Sequence, residues 1–198
     1  MTRRHLTWLA IALLALSWPL FGAFTITLVN YIGLYSLVAV GLVMLTGVGG
    51  ITSFGQAAFV GLGAYATAWI CTSPTAAQAL SALPAGALPW LGLLLGLVVT
   101  ALIAWFLGAV TLPLAGHFLP LGTLAWGLSL YYIFGNLDGL GGFTGITGVP
   151  PLSIAGYEMS SPRVLGVLIW AVLLVAIWGL HNLLDSREGR AIRALKSG

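Results

Sequence analysis

Residues 88–110 read LPWLGLLLGLVVTALIAWFLGAV. The stretch carries no Asp, Glu, Lys or Arg, and it exceeds the about 20 mainly apolar residues a helix needs to cross the hydrocarbon core of a bilayer. The rest of the chain agrees with it. Of 198 residues, 60% are hydrophobic and 6% charged, where a soluble domain carries about 25% charge. The mean hydropathy of +1.07 and the 27 glycines fit transmembrane helices, in which glycine lets neighbouring backbones approach closely. A soluble globular fold is excluded.

The formal charge of +3 does not point to nucleic acid, because the cations are not clustered on one face. No charged residue occurs between His5 and Leu137; Arg3 and Arg4 open the chain, and Arg187, Arg190, Arg193 and Lys196 close it. That distribution is a membrane-topology pattern. The single cysteine, Cys71, excludes an intramolecular disulfide and a multi-cysteine metal site and reads as a small helix-packing residue.

Outward from the central run, length and interruptions give six candidate spans: Leu6 to Phe24, Leu28 to Leu45, Thr52 to Ile70, Leu88 to Val110, Phe118 to Phe134, and Val164 to Leu180. The first follows two arginines, but its end, Trp18 to Phe24, is poor signal-peptidase chemistry, so a retained helix is expected. Six crossings with basic ends place both termini in the cytoplasm. Thr46 to Ile51 and Thr111 to His117 become inner turns, and Cys71 to Ala87 and Gly135 to Arg163 lie outside. Trp8, Trp69, Trp90 and Trp178 sit near span ends, where indoles prefer the interface. The expected fold is an all-α polytopic transmembrane bundle of about six spans, with one helix broken by glycines and a single domain over 1–198.

The spans hold no acid and no lysine, so they offer no charged relay of the kind ion-driven carriers use. The phosphate-loop pattern is missing; the only lysine, Lys196, has no upstream glycine frame. Energy for active transport would come from another chain. An intramembrane serine hydrolase is a rival reading, since Gly127-Leu128-Ser129 places a serine on a span and His117 or His181 could serve as base. Ser129 reads rather as a helix-packing or backbone-bonding residue, and His117 lies about 18 Å away along a helix. No zinc-binding spacing accompanies the histidines.

The segment Thr46 to Thr67, TGVGGITSFGQAAFVGLGAYAT, is the one that suggests function. Glycines this dense bend or break a helix, and freed backbone groups at membrane depth are tolerated only inside protein or along a watery cavity. Close packing is the alternative reading, as at Gly92-x-x-x-Gly96. Uncharged hydroxyl and amide groups can serve a pathway without the cost of burying charge. Thr52, Ser53, Gly55, Gln56 and Tyr65 are therefore the candidate substrate-pathway residues.

Four stretches carry a family resemblance: YSLVAVGLVMLTGVGGITSFGQAAFVGLGAYATA at 35–68, LPLAGHFLPLGTLAWGLSLYYIFGN at 112–136, GGFTGITGVPPL at 141–152 and LLDSREGRAIRALKSG at 183–198. In this order they resemble the membrane permeases of branched-chain amino acid ABC transporters, and the resemblance spans most of the chain. Related permeases for urea, short amides and ribose-like sugars share the design. Two places depart from the pattern: Thr111 to His117 lacks the arginines many members carry there, and Trp126 to Ser129 lacks a glutamate. Members also continue past the basic segment, so the chain is expected to be a split subunit or the N-terminal part of a longer permease.

The resemblance implies a multi-pass inner-membrane importer subunit for small aliphatic amino acids, with urea or short amides as the alternative cargo and a purely structural membrane subunit as a further one. It implies as partners ABC ATPase subunits that bind the ATP, a second permease subunit, and a periplasmic solute-binding protein docking on the loop Asn136 to Gly148. No cofactor of its own and no metal is expected; one acid in that loop cannot build a calcium shell. The loop reads equally as a solvated turn closed by Pro150-Pro151. The last segment, 182–198, reads as a basic amphipathic helix capped by Ser186 with Glu188 in its first turn. By the resemblance it is a cytoplasmic coupling helix that contacts the ATPase through Arg187, Gly189, Arg190 and Arg193; lying on anionic lipid is the other reading.

Overall fold

The computed structural model describes residues 22–79, 85–111, 113, 118–154 and 157–195. Residues 6–21 of the first expected span, His117 and Lys196 lie outside them. The described residues are helical apart from loops and one two-residue ladder.

Helix α1 spans Ala23–Leu42 and runs on through one π-helical stretch, Val43–Val48. Helix α2 is Gln56–Thr72, followed by the short α3, Pro74–Ala79. Then come α4, Leu88–Thr111, and α5, Phe118–Asn136. Two 3₁₀ turns, Asp138–Leu140 and Gly142–Thr144, lead to strands β1 (Ser153–Ile154) and β2 (Tyr157–Glu158), which pair antiparallel. Helix α6 is Pro162–Asp185, with Ser161 as its N-cap and Pro162 in its first turn, where a missing N–H costs nothing. Helix α7, Arg187–Leu195, ends the described chain.

Among the described residues, four helices are long and apolar enough to cross a membrane: Ala23–Val48, Leu88–Thr111, Phe118–Asn136 and Pro162–Asp185. Four expected runs, Leu28 to Leu45, Leu88 to Val110, Phe118 to Phe134 and Val164 to Leu180, therefore stand, with shifted ends. Ala23 and Phe24, expected to close the first span, instead open α1. The expected third span, Thr52 to Ile70, is corrected further. Thr52 to Gly55 are not helical, and α2 has 17 residues, about 26 Å at 1.5 Å per residue, at the lower limit of what a spanning helix needs. The glycine break thus precedes the helix and leaves it intact, since Gly61 and Gly63 sit inside an unbroken α2.

The chain divides into two compact units, one of the chain up to Met44 together with the chain from Met159, the other Leu45–Glu158. In the first unit α1 packs on α6. Ile26, Asn30 and Gly33 of α1 are buried, as are Gly166, Ile169 and Leu173 of α6. Gly33 lets the helices close up: a Cβ there would stand 2.8 Å from Ile169 Cγ2. Asn30 Nδ2 donates to the Pro162 carbonyl at 2.8 Å, tying α1 to the first turn of α6.

The second unit is organised by α2 against α4. A Cβ on Gly92 would lie 2.8 Å from Cys71 Sγ, and one on Gly96 would run into Thr67 Oγ1 and sit 3.0 Å from the Gly63 carbonyl. The small-residue reading of Gly92-x-x-x-Gly96 and of buried Cys71 is thereby explained: backbones meet where side chains are absent. At the end of α4, Trp90 Nε1 donates to the Ser153 carbonyl at 2.7 Å and Ser153 Oγ donates to the Gly86 carbonyl at 3.2 Å, which pins the β1–β2 ladder to that end.

Candidate functional site

The non-helical stretch before α2 is held by α5. The Phe54 N–H donates to Thr123 Oγ1 at 3.0 Å, and that hydroxyl donates in turn to the Pro120 carbonyl at 2.9 Å. A backbone donor released from helical bonding at membrane depth needs such an acceptor. Gly55 is buried, and a Cβ there would stand 3.2 Å from the Thr123 carbonyl, so glycine is what admits α5 so closely. The Gly55 N–H reaches Ser53 Oγ at 3.4 Å. Thr52 is exposed, Ser53 is half-buried, and Gln56 opens α2 with its side chain half-buried.

Farther along the same helix lies a widely open cavity of about 450 Å³, lined almost wholly by apolar atoms. Its walls include Leu62, Tyr65 and Trp69 of α2, Val99 of α4, Phe134 of α5 and Leu140 of the following turn. Tyr65 stacks on Phe134 with ring centroids 4.7 Å apart and planes at 28°. Gly61 makes this possible, because a Cβ on it would lie 2.8 Å from Phe134 Cε2. The volume falls in the range of about 300–1,000 Å³ typical of small-molecule sites.

Of the five candidate pathway residues, only Tyr65 borders this cavity. Gln56 stands nine residues earlier on α2, about 14 Å along the axis, and Thr52, Ser53 and Gly55 precede it. The structure therefore separates a polar end from an apolar one. The other wall residues of α2 were not singled out by sequence, although Leu62, Tyr65, Ala66, Trp69 and Ile70 recur at the i, i+3, i+4, i+7, i+8 spacing of one helix face.

The loop beyond α5 is firmly built. The Leu140 N–H donates to the Leu137 carbonyl at 3.0 Å, and the Gly141 N–H to the Asp138 carbonyl at 3.0 Å. Gly141 has φ +76°, and a Cβ on it would collide with the Gly145 carbonyl, so only glycine serves. The Phe143 ring covers Gly135 and meets Tyr131 edge-on at 6.5 Å.

At the other functional candidate, Ser186 caps α7: its Oγ accepts the Gly189 N–H at 3.1 Å. Gly189 is buried in the corner between α6 and α7, where a Cβ would strike the Leu183 carbonyl and the Leu184 backbone. Arg190 Nη1 donates to the Asp185 carbonyl at 3.0 Å, complementing the negative C-terminal end of α6. Arg187 and Arg190 are exposed, and Arg193 continues the helix backbone. The Glu188 carboxyl is held below its ordinary range, first by its own backbone N–H and then by the Ser186 hydroxyl. On α6, His181 Nδ1 lies 3.1 Å from Asp185 Oδ2.

The family described as branched-chain amino acid transport system, permease component, matches residues 24–197. No curated protein and no solved structure matches the chain. The matched span takes in the stretch before α2, the apolar cavity and the corner at α7. It describes a membrane transport component and not an enzyme, so Ser129, exposed on α5, has no hydrolytic role.

Proposed function

As this chain belongs to the family of branched-chain amino acid transport permease components, we propose that it passes small aliphatic amino acids inward across the inner membrane, driven by a separate ATPase. The observation that carries this reading is the family match over 24–197.

In this reading the protein is multi-pass, with about six spans and both termini cytoplasmic. The loop after α5 faces outward and receives a solute-binding protein, and a second permease subunit completes the membrane assembly. Thr52, Ser53, Gly55, Gln56 and Tyr65 follow the substrate's path. Helix α7 meets the ATPase, which binds ATP. Its support is local: the Ser186 cap and the Gly189 corner give α7 a fixed direction off the end of α6, and Arg187 and Arg190 are exposed on it.

The test is uptake of labelled leucine, isoleucine and valine by the assembled transporter, beside labelled urea and acetamide. Saturable, ATP-dependent uptake of the amino acids alone is expected. Uptake of urea or acetamide in their place would transfer the reading to a neutral-amide permease. Reversing Arg190 and Arg193 to Glu should abolish recovery of the ATPase with the permease from detergent; equal recovery would reject coupling through α7.

A further inference from the structure

We propose that the open apolar cavity between α2, α4 and α5 is a groove that seats one acyl chain of a bilayer phospholipid. The inference needs the protein to lie in a bilayer and is independent of what it carries.

The depth of the groove follows from the contacts of α2 with α4. Gly63 faces the middle of α4, where a Cβ on it would stand 3.4 Å from Thr100 Oγ1, and Cys71 Sγ lies over Gly92, one turn from the start of α4. The wall that α2 supplies, Leu62 to Ile70, therefore runs from the middle of a helix long enough to cross the membrane to near its end. That is about 12 Å along the helix axis, close to the about 15 Å of hydrocarbon in one leaflet. At the end away from the middle of α4 the lining includes Leu137, Gly139 and Leu140, just past the last turn of α5, and Trp69 is exposed there, as an indole at a membrane interface is. The groove thus extends along a single leaflet from its interface toward the bilayer middle.

The lining and the width select the occupant. The walls offer almost no polar surface, so a water would lack the about two to four polar partners it needs, and a charged solute would lose its hydration uncompensated. Left empty, the groove would forfeit dispersion contacts along its whole lining. Hydrocarbon is what fills it. Spread over about 12 Å, the volume of about 450 Å³ leaves a cross-section of about 40 Å², half that of a helix about 10 Å across. A spanning helix of a second copy is too thick to enter, whereas an extended acyl chain is slim enough.

Since acyl chains are as apolar outside the groove as inside it, the preference for the seat comes from packing against a rigid lining. Tyr65 stacked on Phe134, closed over Gly61, supplies that surface, and the hydrogen bond from the Leu140 N–H to the Leu137 carbonyl fixes the turn at the groove's end. The chain fills space beside α5, a helix that buries no residue of its own.

The experiment is photolabelling of the full chain in phosphatidylcholine nanodiscs doped with a phosphatidylcholine that carries a diazirine along one acyl chain, with adducts mapped by peptide mass spectrometry. Adducts on Tyr65, Ala66 and Val99 should exceed those on Leu97 and Leu102, which are more exposed on α4 than Val99 is. Ala66→Phe and Val99→Phe, which fill the groove from two different helices, should each remove the adducts from its walls. Adducts at Leu97 and Leu102 should persist in both, which also reports that the variant is inserted. Adducts that simply follow exposure, or that survive both filling variants, would overturn the site. Loss of the wall adducts on adding L-leucine would make the groove a cargo site instead, and labelling by a diazirine fatty acid with none by the phospholipid would reject the bilayer as the source. Crosslinking between copies through a cysteine placed at Ala66, in a Cys71→Ser background, would give the groove to a second copy. None of these readouts involves uptake, so failure of the lipid site leaves the permease reading standing, and failure of leucine uptake leaves the lipid site standing.

Discussion

Helices α4 and α5 are consecutive and both long enough to span a bilayer, yet α4 buries Pro89, Gly92, Gly96, Leu107 and Thr111 while α5 buries no residue. α5 is the less apolar of the two, so hydropathy does not explain the difference. In lipid an apolar side chain gains little by moving from acyl chains to protein, and contact forms where backbones can approach. Gly92 and Gly96 give α4 such a place against α2. α5 touches its neighbours at separate points, the Thr123 hydroxyl under Phe54 and the Phe134 ring over Gly61.

The comparison breaks most easily at Gly96. Gly96→Ala would drive a Cβ into Thr67 and against the Gly63 carbonyl, and overpacking of this kind costs about 1–3 kcal/mol. The matched change on α5, Gly127→Ala, meets nothing closer than the Phe54 carbonyl at 3.8 Å and should stay within about 0.5 kcal/mol. Unfolding in detergent, monitored by circular dichroism, compares them. Equal losses would mean that α5 is packed as tightly as α4.

Gly189→Ala extends the same logic to the corner between α6 and α7. There the intruding Cβ meets backbone, which cannot rotate away, and a cost of about 1–2 kcal/mol is expected. Faster amide exchange throughout α7, with α1 and α6 unaffected, is the signature. Unaltered exchange in α7 would show that the corner can open without loss.

What the sequence revealed and what it hid divide along this line. The apolar runs fixed α4 and α5 to starts at Leu88 and Phe118, and Ser186 three residues before Gly189 marked the cap of α7, because both signals are local. The density of glycines between Gly47 and Gly63 suggested a broken span, but it could not separate a glycine that ends a helix from one that admits a neighbour. Gly61 and Gly63 have the second role, and their partners, Phe134 and Thr100, lie far off in the chain. The cavity was hidden for the same reason. One helix face was legible in α2, whereas its closure by Val99, Phe134 and Leu140 depends on tertiary packing.

A smaller effect sharpens the account of α5 as a helix of point contacts. Thr123→Val keeps the shape but removes the acceptor of the Phe54 N–H. Hydrogen bonds between membrane helices are worth about 0.6–1.7 kcal/mol, so a loss of that order is expected, with Thr123→Ser recovering it. Exchange at the Phe54 amide is the direct measurement. If Val and Ser variants protect that amide alike, the stretch before α2 is held by packing at Gly55 alone.

The smallest effect is expected at Glu188, which is fully exposed and screened by solvent. Its folded-state carboxyl titrates below the ordinary value of 4.5, so the unfolded state takes up the proton first as pH falls. Its contribution to α7 is complete above the ordinary value and is lost as pH drops through the lowered one. Amide exchange in α7 should therefore quicken across that interval, and Glu188→Gln should flatten the response. Ser186→Ala should reduce it too, since the hydroxyl is the second group holding the carboxylate, and should also weaken α7 by about 1 kcal/mol at every pH through loss of the cap. A response that survives in Glu188→Gln would leave the cap of α7 without an electrostatic component.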